Sequence, residues 1–233
     1  MTPQDFLGRR TQPLRLVIFD CDGVLVDSEG IANRVTARWI SDLGWVMTPA
    51  ESDRNFLGMS LDDMIPVIAS RIGRPVPEGW RAAMMADFLA TLGQEVNAIE
   101  GAIAALDGVE ALGLPWRMAT NSSHAEIRVK MTRLGLMERL VGRAHSFEDV
   151  ARGKPAPDLF LAAAAAEGVP PGECLVIEDS GTGARAARLA GMHCLGYAPH
   201  GHHDAALRAE GAVLFRSMYE LPDLLRACLR IAV

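Results

Sequence analysis

The sequence predicts an α/β protein with a doubly wound parallel sheet and a helical insertion. Three observations support this. An apolar, β-branched run is followed at once by acidic residues; the run consists of Leu14, Leu16, Val17, Ile18 and Phe19. Helical and strand patterns alternate from Gly101 onward. Residues 29 to 99 show helical patterns and no convincing strand. Alternation of this kind builds parallel sheets through right-handed crossovers, so we expect a Rossmann-like core.

The first strand is followed by two carboxylates. Asp20 and Asp22 come directly after the apolar run, and Gly23 then allows the backbone to turn. Ligands of doubly wound folds bind at the carboxyl edge of the sheet, where these acids are expected. Paired carboxylates repel each other unless a cation lies between them, so this edge is a candidate cation site.

The insertion is predicted to be a small helical cap domain. Its helical segments are residues 31–43, 61–72 and 80–92, the last two separated by a stretch rich in Gly and Pro. We therefore assign residues 1–28 and 100–233 to the core domain and residues 29–99 to the cap.

The rest of the core is predicted element by element from apolar periodicity and from the glycines that end helices. The predicted helices cover residues 102–112, 125–134, 157–167, 184–190 and 221–230, and the predicted strands cover 115–119, 143–146, 174–177 and 193–197.

A second polar segment follows the strand that ends at Ala119. Thr120 and Asn121 stand ahead of a helix, where a hydroxyl and exposed backbone N–H groups suit an anionic phosphoryl oxygen. Taken alone, this segment is better explained as an ordinary helix N-cap formed by Ser122 or Ser123.

The third segment centres on Lys154, in the run GKPAPD. The only lysines of the chain are Lys130 and Lys154, and the other basic residues that carry a permanent charge are arginines, so a lysine is unusual at this position. A flexible ammonium suits a site of clustered phosphate and carboxylate groups. Taken alone, it is also consistent with a surface loop.

The fourth segment is Glu178 and Asp179, where another apolar strand ends in acids before a helix start rich in glycine. Asp179 in this place can complete the oxygen shell of a small hard cation. The alternative for this residue alone is an N-cap aspartate.

In order and residue type, these four segments resemble the motifs of the haloacid-dehalogenase-like (HAD) phosphohydrolase superfamily. The runs that carry the resemblance are FDCDGVLVDSE, TNSS, GKPAPDLF and IEDSGTGARAARLAGM. They are most similar to the helical-cap subgroup, which includes β-phosphoglucomutase, phosphoglycolate phosphatase and sugar-phosphate or 6-phosphogluconate phosphatases.

The resemblance implies a role for each matching residue. Asp20 would be the nucleophile that forms an aspartyl-phosphate, and Asp22 the general acid and base. The phosphate-binding groups would be Thr120, the Asn121 backbone amide and Lys154. The cofactor would be Mg²⁺, held by the Asp20 carboxylate, the Asp22 carbonyl, Asp179 and, directly or through water, Glu178.

Four functions are consistent with this fold. The resemblance favours a Mg²⁺-dependent phosphatase over a hexose-phosphate mutase, because this chain has Ala32 and Leu61 where that mutase has a histidine and an arginine. A 2-haloacid dehalogenase lacks the second aspartate, which is present here as Asp22. A non-catalytic binding protein would have lost part of the constellation, and all of it is present.

The cap also suggests a substrate class. The runs FLGMSLDDMI and EVNAIEGA resemble those of bacterial phosphatases that act on sugar phosphates or sugar-acid phosphates, 6-phosphogluconate among them. Cap residues expected near the cleft are Glu29, Asn33, Gly58 and Ser60. The histidines His200, His202 and His203 are interpreted as a solvated loop.

Composition narrows the class of protein further. A net charge of −6 without a basic block argues against nucleic acid as a partner, and no apolar stretch reaches the roughly 18 residues of a membrane span. The opening segment lacks the apolar run of a secretory signal and is expected to be a loose arm. We expect a cytoplasmic monomer, or at most a weak dimer, with four reduced cysteines and a small phosphorylated metabolite as its partner.

Overall fold

The computed structural model describes residues 2–8, 10–56 and 59–229. Its strands are β1 (Leu16–Phe19), β2 (Val26–Asp27), β3 (Asn97–Ala98), β4 (Trp116–Thr120), β5 (Ala144–Ser146), β6 (Cys174–Glu178), β7 (His193–Tyr197) and β8 (Val213–Phe215). Within the described residues, six of them form a parallel sheet in the order β5-β4-β1-β6-β7-β8, and β2 pairs antiparallel with β3. The predicted parallel α/β fold is confirmed.

The helices complete two compact units, residues Met1–Asp27 with Asn97–Val233, and residues Ser28–Val96. They are α1 (Pro3–Gly8), α2 (Glu29–Ser41), α3 (Pro49–Phe56), α4 (Leu61–Ile72), α5 (Trp80–Glu95), α6 (Ala102–Ala111), α7 (His124–Arg133), α8 (Asp158–Ala166), α9 (Gly181–Leu189), α10 (Asp204–Ala209) and α11 (Leu221–Leu229). The assignment of these units as core and cap domains stays a prediction.

Strand β1 lies at the centre of the sheet because both of its faces are apolar. All four of its residues are fully buried. Leu16 and Ile18 pack in one core cluster with residues of α8 and α9, while the rings of Phe19 and of Trp116 on β4 pack edge-to-face. A strand covered on both faces is the pattern expected in a parallel sheet.

The sheet order reverses next to β1, which pairs with β4 on one side and with β6 on the other. Phe19, the last residue of β1, is in register with Met118 and Ile177, and β4 and β6 end at Thr120 and Glu178, so the three strands end within two residues of the same level. The polar residues that follow these strands therefore meet at one edge, which is the topological switch point of such folds.

The second unit contains α2 to α5. The ring of Trp39 on α2 packs edge-to-face against Trp80 at the start of α5, and its indole N–H donates to Asp87. Ser60 is the N-cap of α4 and accepts from the Asp63 N–H. Asn33 donates to Asp53, and Glu29 is exposed at the start of α2. Gly58 lies outside the described residues, and the part these cap residues take in substrate binding stays a prediction.

The expectation of a loose N-terminal arm is wrong. Residues 3–8 form α1, where Leu7 is 2% exposed, and Arg10 donates to the carbonyls of Gly172 and Cys174. Helix α1 packs on α11 at the other end of the chain. A helix of six residues with one buried side chain has too little periodicity to be recognised from the sequence.

The other elements that were not predicted are also short. Helix α3, helix α10, strand β8 and the two-residue strands β2 and β3 fall into this group. All four cysteines are free and buried, as expected. Among the described residues, no helix is both long and apolar enough to cross a membrane.

Candidate active site

Asp20 follows β1 directly and lies where β1 and β6 end together. Its N–H donates to the carbonyl of Ile177 on β6 with an N···O distance of 2.9 Å, which ties the Asp20 backbone to the neighbouring strand. Gly23, at φ +77°, then turns the chain, and its N–H donates to the carbonyl of Val26. A Cβ at Gly23 would lie 2.0 Å from Asp179 Oδ2, so glycine is what allows the fourth segment to approach the first.

Lys154 links the acids of two strands. Its Nζ donates to Asp20 Oδ1 at 2.6 Å and to Glu178 Oε1 at 2.8 Å, and it lies 4.7 Å from the ring centre of Phe160. The side chain of Lys154 is 4% exposed. Burial by itself lowers the pKa of Lys154, but the carboxylates of Asp20 and Glu178 outweigh burial and raise that pKa above its usual value.

Three carboxylates form a group suited to a metal ion. One oxygen each from Asp20, Glu178 and Asp179 lies within 4.8 Å of the others. Burial raises the pKa of Asp20 to about 7, although Lys154 lowers it in part. Burial and the neighbouring acids raise the pKa of Asp179 well above its usual value. Carboxylates held this close bind either protons or a cation, so this oxygen-rich set fits a hard divalent ion.

Glu178 is the most fully bonded of the three. Its Oε1 accepts from Lys154, and its Oε2 accepts from the N–H groups of Asp179 and Ser180 and from the Ser180 hydroxyl, at 2.8 to 3.0 Å. A Cβ at Gly183 would lie 1.6 Å from Oε1, so this glycine on α9 leaves the space that the carboxylate fills. Glu178 therefore also holds Lys154 and the start of α9 in place.

Thr120 and Asn121 lie at the end of β4, as expected from the sequence. Thr120 is 1% exposed, and its hydroxyl accepts from the Ser122 N–H. The Asn121 side chain accepts from the Lys154 N–H at 2.8 Å and donates to the Lys154 carbonyl at 3.0 Å. The amide side chain thus fixes the backbone of the loop that carries the lysine, which the sequence did not predict.

Lys130 also belongs to the site, a role that was not predicted from the sequence. Its Nζ donates to Asp22 Oδ1 at 2.6 Å, to Asp22 Oδ2 at 2.8 Å and to the Ser122 hydroxyl at 2.8 Å. The signal was its place on α7, where it shares the buried face with Ile127 and Met131. A lysine on an apolar helix face needs a buried partner.

The neighbouring residues Ser122 and Ser123 have different roles. Ser123 is the N-cap of α7 and forms a capping box with Glu126. The hydroxyl of Ser122 donates instead to Asp22 Oδ2 at 2.6 Å.

The histidine loop is solvated at His200 and His202, which are exposed. His203 differs from them. It is half-buried, and its Nδ1 donates to the Asp179 carbonyl at 3.0 Å.

Comparison with known proteins identifies the family. A model of haloacid dehalogenase-like hydrolases matches residues 14–191. The 6-phosphogluconate phosphatase of Escherichia coli (strain K12) is 28% identical over 215 residues, which are 92% of this chain and 96% of that protein. Hexitol phosphatase A of the same organism is 30% identical over 181 residues, covering 76% and 80% of the two chains.

A solved structure agrees with these matches. A HAD family hydrolase from Deinococcus radiodurans R1, with bound phosphate and sodium, has a TM-score of 0.78 and 34% identity, and the alignment covers 93% of this chain and 97% of that one. The family match spans all four polar segments at the sheet edge. The chain therefore belongs to the haloacid dehalogenase-like hydrolases, and within that family it is a phosphatase.

Proposed function

We propose that the protein is a Mg²⁺-dependent phosphomonoester hydrolase that works through an aspartyl-phosphate on a sugar phosphate or sugar-acid phosphate. The observation that carries the proposal is the meeting of Asp20, Asp22 and Asp179 with Lys154 at one edge of the sheet. Two relatives, a 6-phosphogluconate phosphatase and hexitol phosphatase A, support the substrate class.

The reaction takes two steps. In the first, a carboxylate oxygen of Asp20 attacks phosphorus while Asp22 gives its proton to the leaving alcohol oxygen. In the second, Asp22 takes a proton from water, the water oxygen attacks phosphorus, and inorganic phosphate leaves as the Asp20 carboxylate is restored. Lys154, Thr120 and the Asn121 N–H would bind the oxygens of the phosphoryl group and neutralise their charge.

The donor set fits Mg²⁺. The carboxylates of Asp20 and Asp179 and the carbonyl of Asp22 would hold the ion, with Glu178 direct or through water. When bound, Mg²⁺ shields the nucleophile from the negative charge of the phosphate. Four carboxylates and the two ammonium groups of Lys130 and Lys154 leave a formal charge of −2 at this edge, which a divalent ion balances.

A hexose-phosphate mutase of the β-phosphoglucomutase type is the alternative. It would need a second phosphate clamp in the inserted unit. The two positions where that mutase carries a histidine and an arginine are Ala32 on α2 and Leu61 on α4. Neither side chain can bind a phosphate, so hydrolysis is the better supported activity.

A screen of phosphorylated metabolites tests the proposal. We expect phosphate release from sugar phosphates or sugar-acid phosphates with Mg²⁺ and none with a chelator. The Asp20→Asn variant should keep the circular dichroism spectrum of the wild type and lose turnover, because an amide cannot attack phosphorus. Hydrolysis by this variant at the wild-type rate would contradict the assignment. Interconversion of glucose phosphates that depends on a bisphosphate primer would instead indicate the mutase.

A further inference from the structure

A buried ammonium group holds both oxygens of the Asp22 carboxylate. Lys130 Nζ lies 2.6 and 2.8 Å from the two oxygens, and the Ser122 hydroxyl donates to one of them at 2.6 Å. The same Nζ donates to the Ser122 hydroxyl at 2.8 Å. Three donor contacts from two side chains therefore fix both the position and the plane of the carboxylate.

The placing of Lys130 indicates a role beyond packing. Its side chain is 1% exposed, whereas the Asp22 side chain is 36% exposed. Removing an ammonium from water is unfavourable, and a methionine would fill the same apolar face of α7 without that cost. The carboxylate, in contrast, is open enough to meet a substrate. The arrangement is a buried cation that supports an accessible acid.

We propose that Lys130 and Ser122 are positioning residues that hold Asp22 at the angle and distance its proton transfers need. The proposal rests on the proposed function, in which Asp22 moves protons in both steps. Proton transfer requires heavy atoms about 2.6 to 3.2 Å apart. Because an error of about 1 Å can lower a rate about 100-fold, an aspartate free to rotate would lose most of its effect.

The central test is the Lys130→Met variant, with Ser122→Ala as the second variant because it leaves no buried charge unpaired. We expect kcat to fall about 100-fold in Lys130→Met and about 10-fold in Ser122→Ala. KM should stay within about twofold, since neither side chain is placed on the substrate phosphate.

The neighbouring Ser123→Ala variant is the matched control. It removes the capping box of α7 but no contact to Asp22, so it should lower the melting temperature and leave kcat unchanged. A role of Lys130 and Ser122 in stability alone would make all three variants behave alike.

The same substitutions in an Asp22→Asn background separate positioning from other effects. If Lys130 acts through Asp22, adding Lys130→Met to Asp22→Asn should not lower the residual activity further. The double variant also removes both charges together, so it tests the proposal even if Lys130→Met alone folds poorly.

The outcomes are distinct. A folded Lys130→Met enzyme with wild-type kcat, or an equal fall in kcat with and without Asp22, would overturn the positioning role while the phosphatase proposal stands. A wild-type protein that releases phosphate from no phosphomonoester would overturn both.

Discussion

Two buried lysines pair with three of the four carboxylates at the edge of the sheet. Lys154 lies between Asp20 and Glu178, and Lys130 lies beside Asp22. Each ammonium offsets the repulsion that the acids would otherwise exert on one another. Asp20 and Glu178 are buried, so removing Lys154 leaves two carboxylates without their cation in poorly solvated surroundings.

Replacing Lys154 tests this balance. Lys154→Met should lower the free energy of unfolding by about 3 to 5 kcal/mol, because two buried carboxylates lose their cation. We also expect kcat to fall at least about 100-fold, since the ammonium also neutralises the phosphoryl oxygens. Urea unfolding and phosphate release measure the two effects. Arg15→Met, which breaks the exposed pair with Glu173, should cost less than about 1 kcal/mol.

The pKa of Asp20, raised to about 7 by burial, predicts how stability changes with pH. The folded, metal-free protein keeps a proton on Asp20 that the unfolded chain has already released above about pH 4. Stability relative to the Asp20→Asn variant should therefore fall as the pH rises from about 5 to 7, by at most about 1.4 kcal/mol per unit, and then level off.

Thermal melting of the wild type and of Asp20→Asn in the presence of a chelator measures the difference in their stability at each pH. The comparison with Asp20→Asn cancels the opposite contribution of His145 and His193, whose pKa values burial lowers. Added Mg²⁺ should raise the melting temperature more at pH 8 than at pH 5.5, because metal and proton compete for the same oxygens. If the stability of the metal-free wild type relative to Asp20→Asn stayed constant or rose with pH, Asp20 would be ionised without metal.

At the scale of elements, the junction between β6 and α9 places two of the acids. Glu178 ends the strand, Ser180 caps the helix by accepting from the Gly183 N–H, and the Glu178 carboxylate turns back over the first turn of α9. The space it occupies exists because residue 183 has no side chain. The start of α9 and the position of the Glu178 carboxylate therefore depend on each other.

Gly183→Ala tests this coupling. Alanine favours a helix by about 1 kcal/mol over glycine, but its Cβ would lie 1.6 Å from Glu178 Oε1. The clash should outweigh the gain in helix propensity, so the free energy of unfolding should fall by about 1 to 3 kcal/mol. We also expect a lower kcat, because Lys154 loses a partner. Gly30→Ala on α2 is the control, because its Cβ would meet only Arg34 at 3.8 Å. If Gly183→Ala were the more stable of the two relative to wild type, the carboxylate would be free to move.

On the scale of the whole molecule, the N-terminal helix packs against the C-terminal helix within the unit that carries the site. Helix α1 lies against α11 and β8, and Leu7 is buried there, while Arg10 binds carbonyls next to β6. The first residues of the chain therefore cover the edge of the core beside β8.

Leu7→Ala should accordingly lower the free energy of unfolding by about 2 to 5 kcal/mol, as expected for a buried leucine. Val141→Ala, at a residue that is 79% exposed in the same unit, should change it by less than about 0.5 kcal/mol. Urea denaturation compares the two. Equal stability of both variants would mean that the N-terminal helix contributes nothing to the core.

Much of the fold could be read from the sequence because its signals are local. The apolar run of β1, the glycines that end helices and the acids that follow β1 and β6 each act over a few residues. The order of the four polar segments indicated the family without any knowledge of distances. Short elements such as α1 and β8 carried too few residues for a pattern and were missed.

Only the tertiary structure decided which polar groups contact each other. Lys130 and Asp22 are 108 residues apart, and their contact depends on the pairing of β1 with β4 and on the face that α7 turns inward. The hydrogen bond between the Asn121 side chain and the Lys154 N–H likewise forms only when the end of β4 and the loop that carries Lys154 are in place. Residue types and their order are properties of the chain, but contacts between distant side chains exist only once the sheet has brought its strand ends together.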